Sequence, residues 1–170
     1  VLKAGGICVT TMPMLRAREL QVSIEKANVS IALCDSDLVE EMENALGLTS
    51  SIEHTLYFSQ VGNGGKRATL EYLCEKKTGK FTNINTAADD IALIAFTSGT
   101  TGQPKGAMHF HRDVIATADT CGRYIAKLEP DDIVTGTPPM AFTFGLGGIA
   151  IFPMRFGASS RFLESLFPDK

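Results

Sequence analysis

Apolar positions along this chain change period several times, and each change marks an element. "GGICVTTMP" is a compact apolar run closed by Pro13, which predicts a buried strand ended by the proline. In "RARELQVSIEKAN", Leu20, Ile24 and Ala27 recur at spacings of four and three, the single apolar stripe of a helix. "VSIALCD" is again short and apolar and predicts a strand. Ser36 is placed to cap a helix over "DLVEEMENAL", with Gly47 as its stop. "HTLYFSQ" predicts a third strand, "VGNGGKR" a Gly-rich surface loop, and "TLEYLCEKKTG" a helix stopped at Gly79.

A polar connector follows from Phe81 to Asp90. "DIALIAF" then reads as a strand buried on both faces. "GAMHFH" alternates and predicts another strand. From Arg112 to Leu128 the apolar positions Val114, Ala118, Cys121, Ile125 and Leu128 predict a long helix with one inward stripe. "DIVTGTPP" predicts a strand ending at Pro138 and Pro139, "FGLGGIAIFPMRFG" a helix, and "ASSRFLES" a closing strand. Strands alternating with helices predict an α/β fold, a mostly parallel sheet flanked by helices.

Composition narrows the function classes. The 170 residues suffice for one domain with a real core; 44% are apolar and 21% charged, a globular rather than a disordered balance. A net charge of -3 gives no basic face for nucleic acid. No lysine-rich amphipathic segment suits a membrane surface, no apolar run is long enough to span a bilayer, and no secretory signal pattern is visible. Cys8, Cys34, Cys74 and Cys121 are far apart and form no CxxC pair, so neither a zinc site nor a disulfide framework is indicated, and a reducing cytoplasm is expected. The chain starts at "VLKAGG" without Met and stops at "LESLFPDK" as a new helix would begin, so the expectation is a piece of a longer protein.

One stretch carries chemistry. "FTSGTTGQPKGAMHFH" sets Gly99, Gly102 and Gly106 among Thr97, Ser98, Thr100 and Thr101, with Lys105 near the end. Glycines let successive backbone N–H groups point into one concavity, hydroxyls add donors, and the lysine adds a mobile positive charge. These are the groups a polyphosphate needs, and the preceding buried strand fixes one end of the loop. A plain surface turn is the alternative. The P-loop pattern G-x-x-x-x-G-K-[ST] does not fit, because Pro104 precedes Lys105 and Gly106 follows it, with no Ser or Thr and no helix start. The loop is expected to join two strands instead.

"TSGTTGQPKGAMHFH" resembles the phosphate-binding signature of the adenylate-forming superfamily, which includes acyl- and aryl-CoA synthetases, luciferases and peptide-synthetase adenylation domains. "LKAGGICVTTMPMLRARELQVSIEKANVSIALCD" resembles that family's earlier segment, and "TGTPPMAFTFGLGGIAIFPMRFGAS" its acyl-pocket segment. The resemblance implies that residues 1–170 are part of the large N-terminal AMP-binding domain, without the small C-terminal domain. It implies ATP, Mg2+ and coenzyme A as cofactor or co-substrates and a small carboxylic acid as substrate. Thr97, Ser98, Gly99, Thr100, Thr101 and Gly102 would hold the β- and γ-phosphates, with Lys105 neutralising them. The segment "MAFTFGLGG" is most similar to the benzoate and 2-aminobenzoate CoA ligase version, which implies that Phe142, Phe144 and Gly145 line the acid's pocket. Core packing is the plain alternative for both rings.

The family's Tyr-Gly-x-Thr-Glu segment, its ribose-binding Asp and the catalytic Lys of its C-terminal domain have no match here. The expectation is therefore no catalytic residue in this piece and no activity from it alone. Loading of a carrier protein, or non-catalytic nucleotide binding, are the alternative functions. His109 and His111 are two apart on one predicted strand; a metal pair lacks a third ligand, and polar residues at a strand end are the simpler account. His54 is expected at the surface.

Overall fold

A computed structural model describes residues 1–59, 69–97 and 104–163. In chain order its elements are β1 (Cys8–Thr10), α1 (Ala17–Lys26), β2 (Ile31–Asp35), α2 (Val39–Leu46), β3 (His54–Phe58), α3 (Thr69–Lys76), β4 (Ile91–Thr97), β5 (Lys105–Phe110), α4 (His111–Thr120), β6 (Ile133–Thr135), α5 (Thr143–Gly145), α6 (Phe152–Phe156) and β7 (Ser159–Arg161). Two compact units result: Val1–Met12, Ile84–Phe96 and Ala107–Lys170 form one, and Pro13–Asn83 with Thr97–Gly106 form the other. The surface loop expected over "VGNGGKR" lies outside the described residues. Among the described residues no helix is long and apolar enough to cross a membrane.

In the second unit β2 and β3 pair in parallel, from Ile31 opposite His54 to Asp35 opposite Phe58. The predicted stripe of α1 turns inward. Ile24 is buried with Met42 and Ala45 of α2, and Leu20, Val29, Ala32 and Tyr57 pack around them. One carboxylate ties the two helices: Glu41 accepts from the backbone N–H of Ala17 at 2.9 Å and from Nη1 of Arg16 at 3.3 Å. Glu19 accepts from the N–H of Arg16 at 2.9 Å, so acidic groups meet the positive end of α1. The expected cap at Ser36 does not form: α2 begins after Leu38, which makes no side-chain cap bond. Asp35, not Ser36, accepts the Asp37 N–H at 3.0 Å, and a 3-10 turn over Ser36–Leu38 leads into the helix. Gly47 does close α2, with its N–H on the carbonyl of Glu43 at 3.1 Å. By contrast α3 stops at Lys76, before Gly79, whose φ of +144° lies in the turn beyond. His54 is exposed at the start of β3.

In the first unit the sheet order is β1-β4-β5. β1 and β4 are parallel, with Cys8 opposite Leu93 and Thr10 opposite Ala95. Central placement accounts for the burial of both faces of β4, where Ala92, Leu93 and Ala95 are all inside. A second parallel pair, β6 and β7, closes the unit. Parallel pairs and the helices between them give the α/β fold that the strand–helix alternation implied.

The polar connector does more than span a gap. The carbonyls of Asp90 and Ala88 accept from the N–H groups of His111 and Arg112 at 3.0 Å each, and Asp89 pairs with the Arg112 guanidinium. Asp113 returns to the Phe110 N–H at 3.0 Å. These bonds start α4 at His111, so His109 and His111 lie on a strand and a helix rather than on one strand face.

The long helix predicted to Leu128 also departs from its stripe. After Thr120 the backbone widens to a π-helix over Cys121–Ala126 and ends at Lys127, whose φ is +53°. A wider turn advances side chains by less than 100° per residue, so the 3.6-residue pattern slips. Gly122 becomes the buried position, and Ile125 is 74% exposed. Gly122 is needed for closeness: a Cβ there would sit 2.3 Å from the Phe156 ring. Asp119 and Arg155 clasp α4 to α6 through two hydrogen bonds of 2.8 and 3.2 Å.

Candidate functional site

Two groups of residues were singled out by the sequence, and each lies in its own unit. The first is the glycine-hydroxyl segment. β4 delivers Thr97 at its exposed end, and β5 resumes at Lys105, which is also exposed. The segment therefore joins two strands, as its Pro-Lys-Gly end demanded. Its two ends are held together: Thr97 Oγ1 donates to the carbonyl of Lys105 at 3.5 Å, a long bond. Ser98, Gly99, Thr100, Thr101 and Gly102 lie outside the described residues.

A lysine that the sequence did not flag reaches the same end. Lys26, in the last turn of α1, donates from Nζ to the carbonyl of Pro104 at 2.8 Å. The two residues are 78 positions apart, and no local pattern marks such a pairing. Its ammonium braces the peptide that leads into Lys105 and adds positive charge beside it.

The second group is the turn after Pro139. Phe142 N–H bonds to the carbonyl of Pro139 at 3.1 Å, and Leu146 N–H to the carbonyl of Phe142 at 2.9 Å. Between them α5 makes a single helical turn that runs into a π-helix over Leu146–Ile151. Gly145 is buried against the preceding segment: a Cβ there would lie 2.3 Å from the Pro139 oxygen and 2.6 Å from that of Pro138. Phe144 and Gly145 thus share one turn with opposite fates. The glycine is inside, while Phe144 is 77% exposed and Phe142 45% exposed. Core packing does not describe Phe144.

His109 and His111 are half-buried. Among the described residues no three His, Cys, Asp or Glu side chains converge to hold a metal ion. The four cysteines are unpaired thiols, with Cys8, Cys34 and Cys121 half-buried and Cys74 exposed. Burial pushes the Cys34 thiol up from its ordinary pKa, and the Asp35 charge adds to the shift.

In an α/β fold, the central strand β4 thus runs up to a segment whose sequence is Gly-Ser-Thr-rich and ends in Pro-Lys-Gly, and β5 begins at that lysine. The chain belongs to the AMP-binding enzyme family, whose model matches residues 1–169. It is similar to the benzoate–CoA ligase of Thauera aromatica, 27% identical over 159 residues, which cover 94% of this chain and 29% of that protein. It is similar also to the 4-hydroxybenzoate–CoA/benzoate–CoA ligase of Rhodopseudomonas palustris, 29% identical over 99% of this chain and 30% of the relative. Among solved structures, an anthranilate CoA ligase in complex with anthranoyl-AMP superposes with a TM-score of 0.85 at 26% identity, over 100% of this chain and 32% of that one. The chain thus spans about three tenths of the length of the curated relatives it matches.

Proposed function

We propose that this chain is the phosphate- and acid-binding part of an ATP-dependent carboxylic acid–CoA ligase acting on an aryl acid. The observation that carries the reading is the frame at the ends of β4 and β5, which holds Thr97 and Lys105 at the two mouths of the glycine-hydroxyl segment. Family membership over residues 1–169 supports the nucleotide, and the benzoate-type relatives support an aryl acid. The carboxylate oxygen of the acid would attack the α-phosphorus of ATP. The bond to the bridging oxygen breaks, pyrophosphate leaves, and an acyl-adenylate remains. The thiol of coenzyme A would then add to the acyl carbon and expel AMP.

In such a reaction the protein supplies position and charge neutralisation. Thr97, Ser98, Gly99, Thr100, Thr101 and Gly102 would hold the β- and γ-phosphates, and Lys105 would take up charge as pyrophosphate departs. Magnesium would arrive with the triphosphate. Phe142 and Phe144 would offer ring faces to a flat acid, with Gly145 allowing the turn to close. A reducing cytoplasm, where four unpaired thiols persist, is the compartment that goes with this reading.

The test is ATP–pyrophosphate exchange by the intact protein, offered benzoate, 2-aminobenzoate and short fatty acids. Exchange with an aryl acid and formation of its CoA thioester support the reading. No exchange with any carboxylic acid refutes it, and pyrophosphate release without a CoA thioester points instead to carrier-protein loading. Lys105→Ala should lower kcat/KM for ATP about ten- to a hundredfold, the worth of a charge-assisted contact.

A further inference from the structure

The turn that carries Phe142 and Phe144 is internally bonded, but its aim depends on what anchors it to the sheet. Thr10, the last residue of β1, donates from Oγ1 to the carbonyl of Ala141 at 2.9 Å across 131 residues of chain. Ala141 immediately precedes Phe142, so the direction of its carbonyl sets the plane of the peptide from which the first ring departs. Thr10 itself is fixed, because it sits opposite Ala95 in the parallel register of β1 and β4. Ala95 is buried in the central strand.

We infer that Thr10 is a positioning residue for the acid substrate: its hydroxyl fixes the Ala141 carbonyl and thereby the direction of the Phe142 and Phe144 rings. This rests on the ligase reading given above. The geometry is that of a remote tether. Thr10 contributes one hydroxyl to a backbone acceptor, and the rings it aims are themselves exposed rather than packed. What the anchor can fix is therefore where the backbone of the turn places the Cα–Cβ bonds from which the rings depart. The chemical class served is a flat aryl carboxylate, which binds by ring faces and tolerates little angular error.

Thr10→Val keeps the shape and removes the donor. In the intact protein it should raise KM for the aryl acid about fivefold, the equivalent of ~1 kcal/mol, while KM for ATP stays within twofold. Thr10→Ser, which restores the hydroxyl, should return the acid KM to within twofold of the original. Thr10→Ala serves as a second hydroxyl-free variant should the valine fold poorly, and it should show the same split. Hydrogen exchange at the amides of Phe142 and Leu146 should quicken about fivefold in Thr10→Val whatever the substrate proves to be. The inference is overturned if both KM values are unchanged, if they rise together, or if Thr10→Ser fails to restore the acid KM. It also falls if exchange at the two amides is unaltered. Absence of pyrophosphate exchange in the unmutated protein would defeat the ligase reading alone, and the amide exchange would still decide the tether.

Discussion

Two glycines three residues apart in one helical stretch should respond to alanine with opposite signs. At Gly145 an added Cβ meets backbone, 2.3 Å from the Pro139 oxygen and 2.6 Å from the Pro138 oxygen. A carbon normally approaches a carbonyl oxygen no closer than about 3.3 Å, so roughly 1 Å of separation must open. Neither oxygen can swing away, since both belong to the chain and Pro139 also accepts the Phe142 N–H at 3.1 Å. Overpacking of this kind costs about 1–3 kcal/mol. Gly148 has nothing within 4 Å of its would-be Cβ, and its φ is ordinary for a helix. Alanine there removes the backbone entropy of glycine and should be neutral or stabilise by about 0.5–1 kcal/mol.

Urea denaturation of the intact protein, followed by far-UV circular dichroism with matched thermal melts, measures both. At roughly 2–4 °C per kcal/mol for a domain of this size, Gly145→Ala should lower the melting point by several degrees and Gly148→Ala should not. Equal losses for the two variants, or none for Gly145→Ala, would refute the close approach.

Phe144→Ala removes a ring that is already in water, so stability should stay within about 0.5 kcal/mol while KM for the aryl acid rises; a melting curve and exchange kinetics on the same sample check both halves. The hydrogen bond from Arg155 holds the Asp119 carboxyl below its ordinary range; desolvation opposes it, and the Arg155 and Arg123 charges add to the lowering. A carboxyl lowered in the folded state stabilises above the unfolded value, about 3.9, and that contribution is lost as pH falls through the folded one. Stability of Asp119→Asn, measured by denaturation from pH 7 to pH 2, should accordingly fall less steeply at the acid end than that of the original chain. At pH 8 a thiol reagent should alkylate exposed Cys74 well before Cys34, whose raised pKa leaves less thiolate; peptide mass mapping over time gives the order.

Local patterns proved legible where one period held across an element. Leu20 and Ile24 declared the inner face of α1, and consecutive burial in β4 followed from a run with no polar interruption. The long helix failed at Ile125 because a period of 3.6 cannot announce the extra residue of a π-turn. Gly122, next to the stripe position Cys121, takes the buried place instead. Caps formed by distant groups were equally silent: Glu41 serves α1 from 24 residues away, and the connector carbonyls of Ala88 and Asp90 serve α4. Of the candidate site, the joining of two strands around Thr97 and Lys105 was readable from Pro104 and Gly106 alone. The exposure of Phe144 was not, since an aromatic in an apolar segment looks the same whether it faces core or solvent. Lys26 and Thr10 reach their acceptors over 78 and 131 residues, distances at which sequence carries no register.

The shared carboxylate of Glu41 has a consequence for how its unit is assembled. α1 and α2 have 10 and 8 residues, both short of the ~12–15 at which a lone helix begins to persist in water. Each therefore depends on the core they share, to which Ala32 of β2 and Tyr57 of β3 also contribute. A peptide cut from either helix should be a coil, whereas one spanning both should gain helicity in a single concerted step.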